Sequence, residues 1–267
     1  MSGNNELVLQ ASGVSIVFGG LRAVSGFSCE LHAGELIGLI GPNGAGKTTV
    51  FNMLSGIYTP TEGQISFWDR SGNVNIINKK SPAQHNKLGI ARTFQNIRLF
   101  GQLPVLDNVR IALHSSRQVN PFDVLFRTPA FRRDEIRMTE KAVQLLSLFK
   151  MDGKKDELAK NLPYGEQRKL EIVRALAANP RLLLLDEPAA GMNPQETEDL
   201  MNLIAFIRKE FNLTILLIEH DMRLVMGICE RIMVLDYGKI IASGTPEEIR
   251  SNPQVIKAYL GQEAVNA

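Results

Sequence analysis

Residues 41–49 read GPNGAGKTT and satisfy the spacing G-x-x-x-x-G-K-[ST] at every fixed position. Both flanks suit that pattern. Residues 35–40, ELIGLI, form a short apolar run fit for a buried strand, and residues 49–54, TVFNML, can continue as a helix. Strand, glycine-rich turn and helix is the arrangement in which backbone N–H groups turn inward on phosphates while the helix dipole favours negative charge. Gly41, Gly44 and Gly46 permit the turn, with Pro42, Asn43 and Ala45 between them. The motif therefore predicts a nucleoside triphosphate site, with Lys47 on the β- and γ-phosphates, Thr48 holding Mg²⁺ through its hydroxyl and Thr49 beginning the helix body.

The rest of the chain is that of an ordinary globular protein. Its 267 residues, 44% hydrophobic and 22% charged, can bury a sizeable core as one large domain or a core with a subdomain. No run approaches the ~18 consecutive apolar residues of a membrane span. The start MSGNNELVLQ lacks the basic and apolar regions of a signal peptide, so a cytoplasmic location is expected. Cys29 and Cys229 stand apart in mixed apolar sequence without a C-x-x-C partner and read as buried free thiols. A net charge of +2, with no basic run interleaved with aromatics, gives no reason to expect nucleic acid.

Residues 7–30 alternate apolar and polar side chains in places (Val14, Ile16, Phe18; Val24, Phe27), with turn signals at Gly19-Gly20 and Ala33-Gly34, which predicts an antiparallel β layer ahead of the phosphate loop. Residues 63–68 and 73–77 add strands around the turn Asp69-Arg70-Ser71-Gly72. Between about 108 and 158 the period becomes helical, with Ile136, Ala142, Val143, Leu145, Leu146, Leu148 and Phe149 recurring between charges. Strand and helix then alternate again, with buried strands at 182–185, 214–218 and 232–235. The fold class is therefore α/β, a P-loop core on a mostly parallel sheet, with an N-terminal antiparallel layer and an inserted helical subdomain.

A second chemical site lies at residues 181–188, RLLLLDEP. A leucine run ending in two carboxylates is by itself a common core element. In a chain that also carries Lys47, it points to Asp186 holding Mg²⁺, through water, and to Glu187 polarising the attacking water for in-line displacement.

Residues 161–176, NLPYGEQRKLEIVRAL, decide the matter. They resemble the LSGGQ signature and following helix of ATP-binding cassette (ABC) ATPases, which precede the Asp-Glu strand as they do here. Leu162, Pro163, Tyr164, Gly165, Glu166 and Gln167 carry that match, and the resemblance covers nearly the whole chain. It places Phe18 where the family has its adenine-stacking aromatic, and Gln95, in Arg92-Thr93-Phe94-Gln95, at the Q-loop, where it is a metal ligand. A variant D-loop ends at Asn193, and His220 falls at the switch histidine. Taken singly, Phe18 is equally a core residue, Gln95 a helix cap and His220 a hydrogen-bonded structural residue; their joint order is the family's.

The resemblance implies an ATPase using ATP and Mg²⁺, with one nucleotide-binding domain over 1–267, a helical subdomain at about 95–163 and a C-terminal tail at 251–267. It implies two cassettes facing head to tail, each ATP between one chain's phosphate loop and the other's signature helix, with Glu187, His220 and Lys47 as the catalytic set. Pro163 and Tyr164 in place of serine and glycine, the stretch EPAAGMNP (187–194) and the ending IRSNPQVIKAYLGQ (249–262) are similar to the LivG-type ATPases of branched-chain amino acid importers. A related cassette for urea or short-chain amides shares much of this pattern.

A second ATPase subunit, with a heterodimer favoured by the altered signature, two transmembrane permease subunits and an extracytoplasmic solute-binding protein are the partners this resemblance implies, at the cytoplasmic face of the membrane. The permease contact is expected around residues 95–108, where Ile97, Leu99, Phe100 and Leu103 are either a groove for a partner helix or core. Residues 119–133, with Phe122, Phe126, Phe131, Arg127, Arg132 and Arg133, read as a packed surface loop, with proximity to lipid headgroups as the alternative. A soluble ABC factor of translation or DNA repair usually carries two cassettes or a long coiled-coil insertion, and a P-loop kinase has no use for the signature helix.

Overall fold

The structure, a computed structural model, describes residues 6–115 and 128–263. The chain divides into two compact units, residues 1–95 with 181–267, and residues 96–180.

In the first unit, β1 (Leu7–Phe18) and β2 (Leu21–His32) form an antiparallel hairpin, and β4 (Glu62–Trp68) and β5 (Val74–Ile76) extend it to a four-stranded sheet in the order β2-β1-β4-β5. Gly19 and Gly20 both adopt positive φ at the hairpin turn, which suits the right-handed twist of the strands. Along β2, Val24, Phe27, Cys29 and Leu31 are buried and their neighbours are not, as a strand with one solvated face requires.

The second sheet runs β10-β9-β3-β8-β7-β6, made of β3 (Leu36–Ile40), β6 (Ile90–Arg92), β7 (Leu182–Asp186), β8 (Thr214–Ile218), β9 (Arg231–Asp236) and β10 (Lys239–Gly244). Five of these strands are parallel and only β10 is antiparallel to its neighbour. Every residue of β3, β7 and β8 is buried, which is why these strands read as unbroken apolar runs. Helix α1 (Lys47–Leu54) contributes Val50, Phe51, Met53 and Leu54 to one core with both sheets. The register aligns Leu39 and Asp186 with Ile218, so the carboxyl ends of β3, β8 and β7 finish side by side. Ligands of open α/β sheets bind at such ends.

Helices α2 (Pro82–Leu88), α6 (Pro194–Glu210), α7 (Met222–Ile228), α8 (Pro246–Ser251) and α9 (Pro253–Glu263) complete this unit. The second unit holds α3 (Val105–Ser115), α4 (Pro129–Leu148) and α5 (Tyr164–Ala177), with short 3₁₀ turns at Asp152–Lys154 and Ala159–Asn161. Helix α5 packs on α3 and α4.

Three extents differ from the sequence reading. The second unit runs to residue 180, not 163, because the buried face of α5 (Leu170, Val173, Leu176) packs within it. The expected tail is largely helix α9, whose first turn is held by the Asn252 side chain accepting from the Gln254 and Val255 N–H groups at 2.9 and 3.4 Å. Strands β6 and β10 carry little sequence signal, β6 for its three-residue length and β10 for its half-exposed, small-residue sequence. Residues 119–127 of the segment read as a surface loop lie outside the described residues; Phe131 is half-buried, and Arg132 and Arg133 are exposed on α4. Among the described residues, no helix is long and apolar enough to cross a membrane.

Candidate active site

The phosphate loop follows β3 without a break. Gly41 has no alternative: a Cβ there would overlap the Leu235 carbonyl oxygen of β9. Gly46, the N-cap of α1, sits at φ 102°, and its Cβ would come within 2.9 Å of the Ala23 carbonyl oxygen. The Ala45 carbonyl accepts the Gly238 N–H at 2.9 Å, which ties the loop to the β9–β10 turn. Lys47 is 6% exposed, and its ammonium donates to the carbonyls of Gly41 (2.6 Å) and Pro42 (2.9 Å). Burial lowers its pKa, and the charge of Glu187 opposes that shift. Asn43, Gly44 and Thr48 are exposed, Pro42 and Ala45 are buried, and Thr49 is half-buried.

At the end of β7, Asp186 is buried, and its Oδ2 accepts from Arg92 Nη2 at 2.7 Å. Arg92, on β6, also donates to Asn52 Oδ1 (2.7 Å) and Ser55 Oγ (2.9 Å), and its guanidinium lies 5.6 Å from the Phe51 ring centroid and 5.1 Å from that of Phe94. The pair is buried on both sides, so the position of the carboxylate is fixed by partners reaching from β6 and α1.

Glu187 adopts φ 45°, in the left-handed region that non-glycine residues rarely enter. Its N–H donates to the Ile218 carbonyl at 2.9 Å, which joins the turn to β8. Its Oε1 lies 2.6 Å from His220 Nε2, and its Oε2 accepts from Gln95 Nε2 at 2.7 Å. The Glu187 side chain is 11% exposed and that of His220 is 50% exposed, so the cluster has a buried carboxylate behind a solvent-facing imidazole. An ionised carboxylate only accepts, so the histidine Nε2 carries the proton in this contact. A carboxylate has about four lone-pair sites, and with one donor on each oxygen Glu187 can still accept from a water.

The structure thus brings Lys47, Asp186, Glu187, Gln95 and His220 to the ends of neighbouring strands. Phe18 stands at the end of β1, 42% exposed, with its ring edge-on to Tyr58 at 5.1 Å and 69°. An aromatic held on one side and half exposed on the other can stack on a planar base.

The donor set suits magnesium rather than a metal caged by protein alone. Thr48 offers an exposed hydroxyl and Asp186 a hard carboxylate, and among the described residues no group of three or more His, Cys, Asp or Glu gathers for a metal. A magnesium ion bound with nucleotide phosphates needs one or two such ligands. Gln95 donates its amide N–H to Glu187, and its carbonyl oxygen is a hard acceptor of the type magnesium takes.

The signature residues belong to the second unit. Pro163 is the N-cap of α5 and has no side-chain cap bond; its carbonyl accepts from the N–H groups of Glu166 (3.0 Å) and Gln167 (2.9 Å). Leu162 is buried and accepts from Gln167 Nε2 at 2.8 Å, while Glu166 pairs with Lys154 at 2.6 Å. Gly165 is half-buried and Tyr164 is 43% exposed. In the segment leading from Gln95, the buried Asn108 side chain holds the turn at Phe100, and the Arg174 guanidinium lies 5.7 Å from the exposed Phe100 ring. Ile97, Leu99 and Leu103 are half-buried.

Three further residues meet this machinery: Arg92; Glu219, which accepts from backbone N–H groups on both sides of the Glu187 site; and Tyr259 of α9, which hydrogen-bonds the Gly41 backbone and whose hydroxyl burial pushes up to about 12. Arg92 and Glu219 had a faint signal, as charged residues bordering motif positions 95 and 220; Tyr259 had none.

Comparison with known proteins agrees with this geometry. Residues 24–190 match the ABC transporter family model, and residues 239–265 match the model described as branched-chain amino acid ATP-binding cassette transporter. The chain is 48% identical over 258 residues to the high-affinity branched-chain amino acid transport ATP-binding protein LivG of Salmonella typhimurium, covering 97% of this chain and 99% of that one. It is 47% identical to BraF of Pseudomonas aeruginosa, a protein described in the same words, covering 96% and 98%. The ADP conformation of MJ1267, an ATP-binding cassette of an ABC transporter, superposes with a TM-score of 0.81 at 31% identity, covering 96% and 99%.

Proposed function

From the premise that this chain belongs to the ABC transporter family of ATP-hydrolysing cassettes, we propose that it powers uptake of branched-chain amino acids as the ATPase subunit of an importer. The observation that carries the catalytic part is the contact of Gln95 and His220 with the two oxygens of Glu187, beside the buried Lys47. The substrate rests on the relatives' printed function and on the match at residues 239–265.

In this reading, the phosphate loop and Lys47 hold the β- and γ-phosphates, and Phe18 stacks on the adenine. Glu187 accepts a hydrogen bond from the attacking water, Gln95 and His220 fix the carboxylate's rotamer, and His220 reaches the γ-phosphate. Thr48, Asp186 and Gln95 are the residues that would hold a magnesium ion, which supplies charge neutralisation at the phosphates. Leu162, Pro163, Tyr164, Gly165, Glu166 and Gln167 present the α5 N-terminus to the nucleotide of a second cassette, and a distinct chain fits that role better than a second copy, since a copy would repeat the altered signature. Two permease subunits, met through the segment around Phe100, and an extracytoplasmic solute-binding protein complete the assembly at the cytoplasmic face. The organisation is one nucleotide-binding domain whose helical subdomain is residues 96–180.

The experiment is uptake of radiolabelled leucine, isoleucine and valine, against urea and acetamide, in cells carrying the wild-type chain or Lys47→Ala. Loss confined to the branched-chain amino acids is expected. Loss confined to urea or the amide would replace the substrate, and unchanged uptake of all five would end the importer reading.

A further inference from the structure

Glu219 is a buried acid for which the mechanism so far has no use. It lies just past β8 and is 3% exposed. Its Oε1 accepts the Ala189 N–H at 2.7 Å, and its Oε2 accepts those of His220 at 3.0 Å and Asp221 at 3.5 Å. The donors come from two chain segments: Ala189 is two residues past Glu187, and His220 is the other partner of the Glu187 carboxylate. Burial raises the Glu219 pKa, and the three backbone donors and the nearby His220 pull it only part of the way back, so this carboxylate occupies its place at a net cost.

We propose that Glu219 is a positioning residue for hydrolysis, which fixes the turn after Glu187 and the backbone of His220 against each other and so holds the two side chains at contact distance. This rests on the reading of Glu187 and His220 given above. The physical need is specific. Glu187 sits in a left-handed conformation that persists only when its surroundings over-determine it. The Ile218 carbonyl holds the N-terminal side of that residue through its N–H. On the other side the turn carries internal bonds, Ala190 N–H to Glu187 O at 3.2 Å and Met192 N–H to Ala189 O at 3.0 Å, and the Glu219–Ala189 bond ties it to the β8 end. One side chain with two acceptor oxygens spans both segments. A glutamine cannot, because its single carbonyl oxygen leaves its NH₂ facing a backbone N–H.

The test compares Glu219→Gln, Glu219→Asp and Glu187→Gln in the transporter purified with its membrane subunits. It measures ATPase kcat and KM, and the affinity of the full chain for a fluorescent ATP analogue. Glu219→Gln should lower kcat by about tenfold or more, while analogue affinity stays within about threefold, because the phosphate loop and Lys47 are untouched. Glu219→Asp keeps the charge and both acceptors on a shorter arm and should recover part of kcat. Turnover by Glu219→Gln within twofold of wild type, with Glu187→Gln inactive, overturns the positioning role alone. A fall in analogue affinity that matches the fall in kcat also overturns it, by making Glu219 a general support of the fold. Failure of both Glu219 variants to yield a folded chain counts as that same result. Full turnover by Glu187→Gln instead removes the underlying reading of the site.

Discussion

Two helix starts in this molecule are built alike and differ in what surrounds them. Helices α2, α4, α6, α7 and α8 begin with a side chain, Ser81, Thr128, Asn193, Asp221 or Thr245, that accepts a backbone N–H of the first turn. Helices α1 and α5, behind Gly46 and Pro163, have no such side-chain bond. A side-chain cap adds about 1 kcal/mol, and its absence at these two motifs fits the proposal that their first-turn donors face nucleotide phosphates. Around α1 the adaptation is complete: glycine wherever a Cβ would collide and a buried lysine among the loop carbonyls. Around α5 it is partial, with proline at the cap and a half-exposed tyrosine next to it. On the function proposed above, the same device is present twice, and the copy at α5 lacks parts that the copy at α1 has.

The largest effect should come from the complete side. Glu187→Gln keeps the shape of the side chain and loses its basicity, so turnover in the assembled transporter should fall by about two to four orders of magnitude, with ATP affinity within threefold of wild type. Lys47→Ala should instead weaken ATP binding itself. Steady-state ATPase assays and equilibrium nucleotide binding separate the two. Wild-type turnover in Glu187→Gln would remove Glu187 from the role of polarising the attacking water.

The incomplete side is tested by completing it. Replacing Pro163 by Ser together with Tyr164 by Gly restores a hydroxyl and close backbone approach at the α5 start. A hydrogen bond to a charged group contributes roughly 1.5–3 kcal/mol, so ATP occupancy or hydrolysis at the site this chain completes in trans should rise about tenfold or more. The measurement is ATPase with the catalytic glutamate removed from each ATPase subunit in turn. If Glu187→Gln leaves uptake intact and the partner's equivalent change abolishes it, the assignment of the stronger site is reversed.

What sequence made legible follows the same division. Lys47, Asp186 and Glu187 were readable because each lies inside a short motif whose spacing is set by one strand end and one turn. The strands β3, β7 and β8 were readable because burial on both faces writes an unbroken apolar run. Arg92 was not, since its meaning depends on Asp186, ninety-four residues away, across β6 and β7. Glu219 looked like a neighbour of His220, and only the fold brings Ala189 to it. The boundary of the helical unit was missed for a related reason: the signature motif marks where α5 begins, while the packing of its buried face decides which unit it belongs to.

A smaller effect concerns stability. If α5 forgoes a cap for function, Pro163→Ser alone should stabilise the nucleotide-free chain by about 1 kcal/mol, a rise of roughly 2–4 °C in Tm for a protein of this size. Differential scanning calorimetry reads it directly. An unchanged or lower Tm would mean that the proline's fixed φ offsets the missing cap, and the start of α5 would then be a stable end rather than a strained one.

The smallest effect sharpens the comparison at the other end of the nucleotide. Backbone donors at both helix starts suit phosphate oxygens, and neither set carries information about the base. In the function proposed above, base contact falls to Phe18, half exposed at the end of β1 with Tyr58 edge-on to it. An aromatic pair contributes about 0.5–1.5 kcal/mol beyond its buried area, so Phe18→Ala should weaken ATP binding severalfold and Phe18→Tyr should be tolerated. A stacking face reads no hydrogen-bonding edge, so GTP should bind nearly as well as ATP, and Phe18→Ala should weaken both by the same factor. Titration of wild type and variant with fluorescent analogues of each nucleotide decides it. Strong selectivity for ATP that survives Phe18→Ala would place base recognition on another group of the chain and confine Phe18 to its packing against Tyr58.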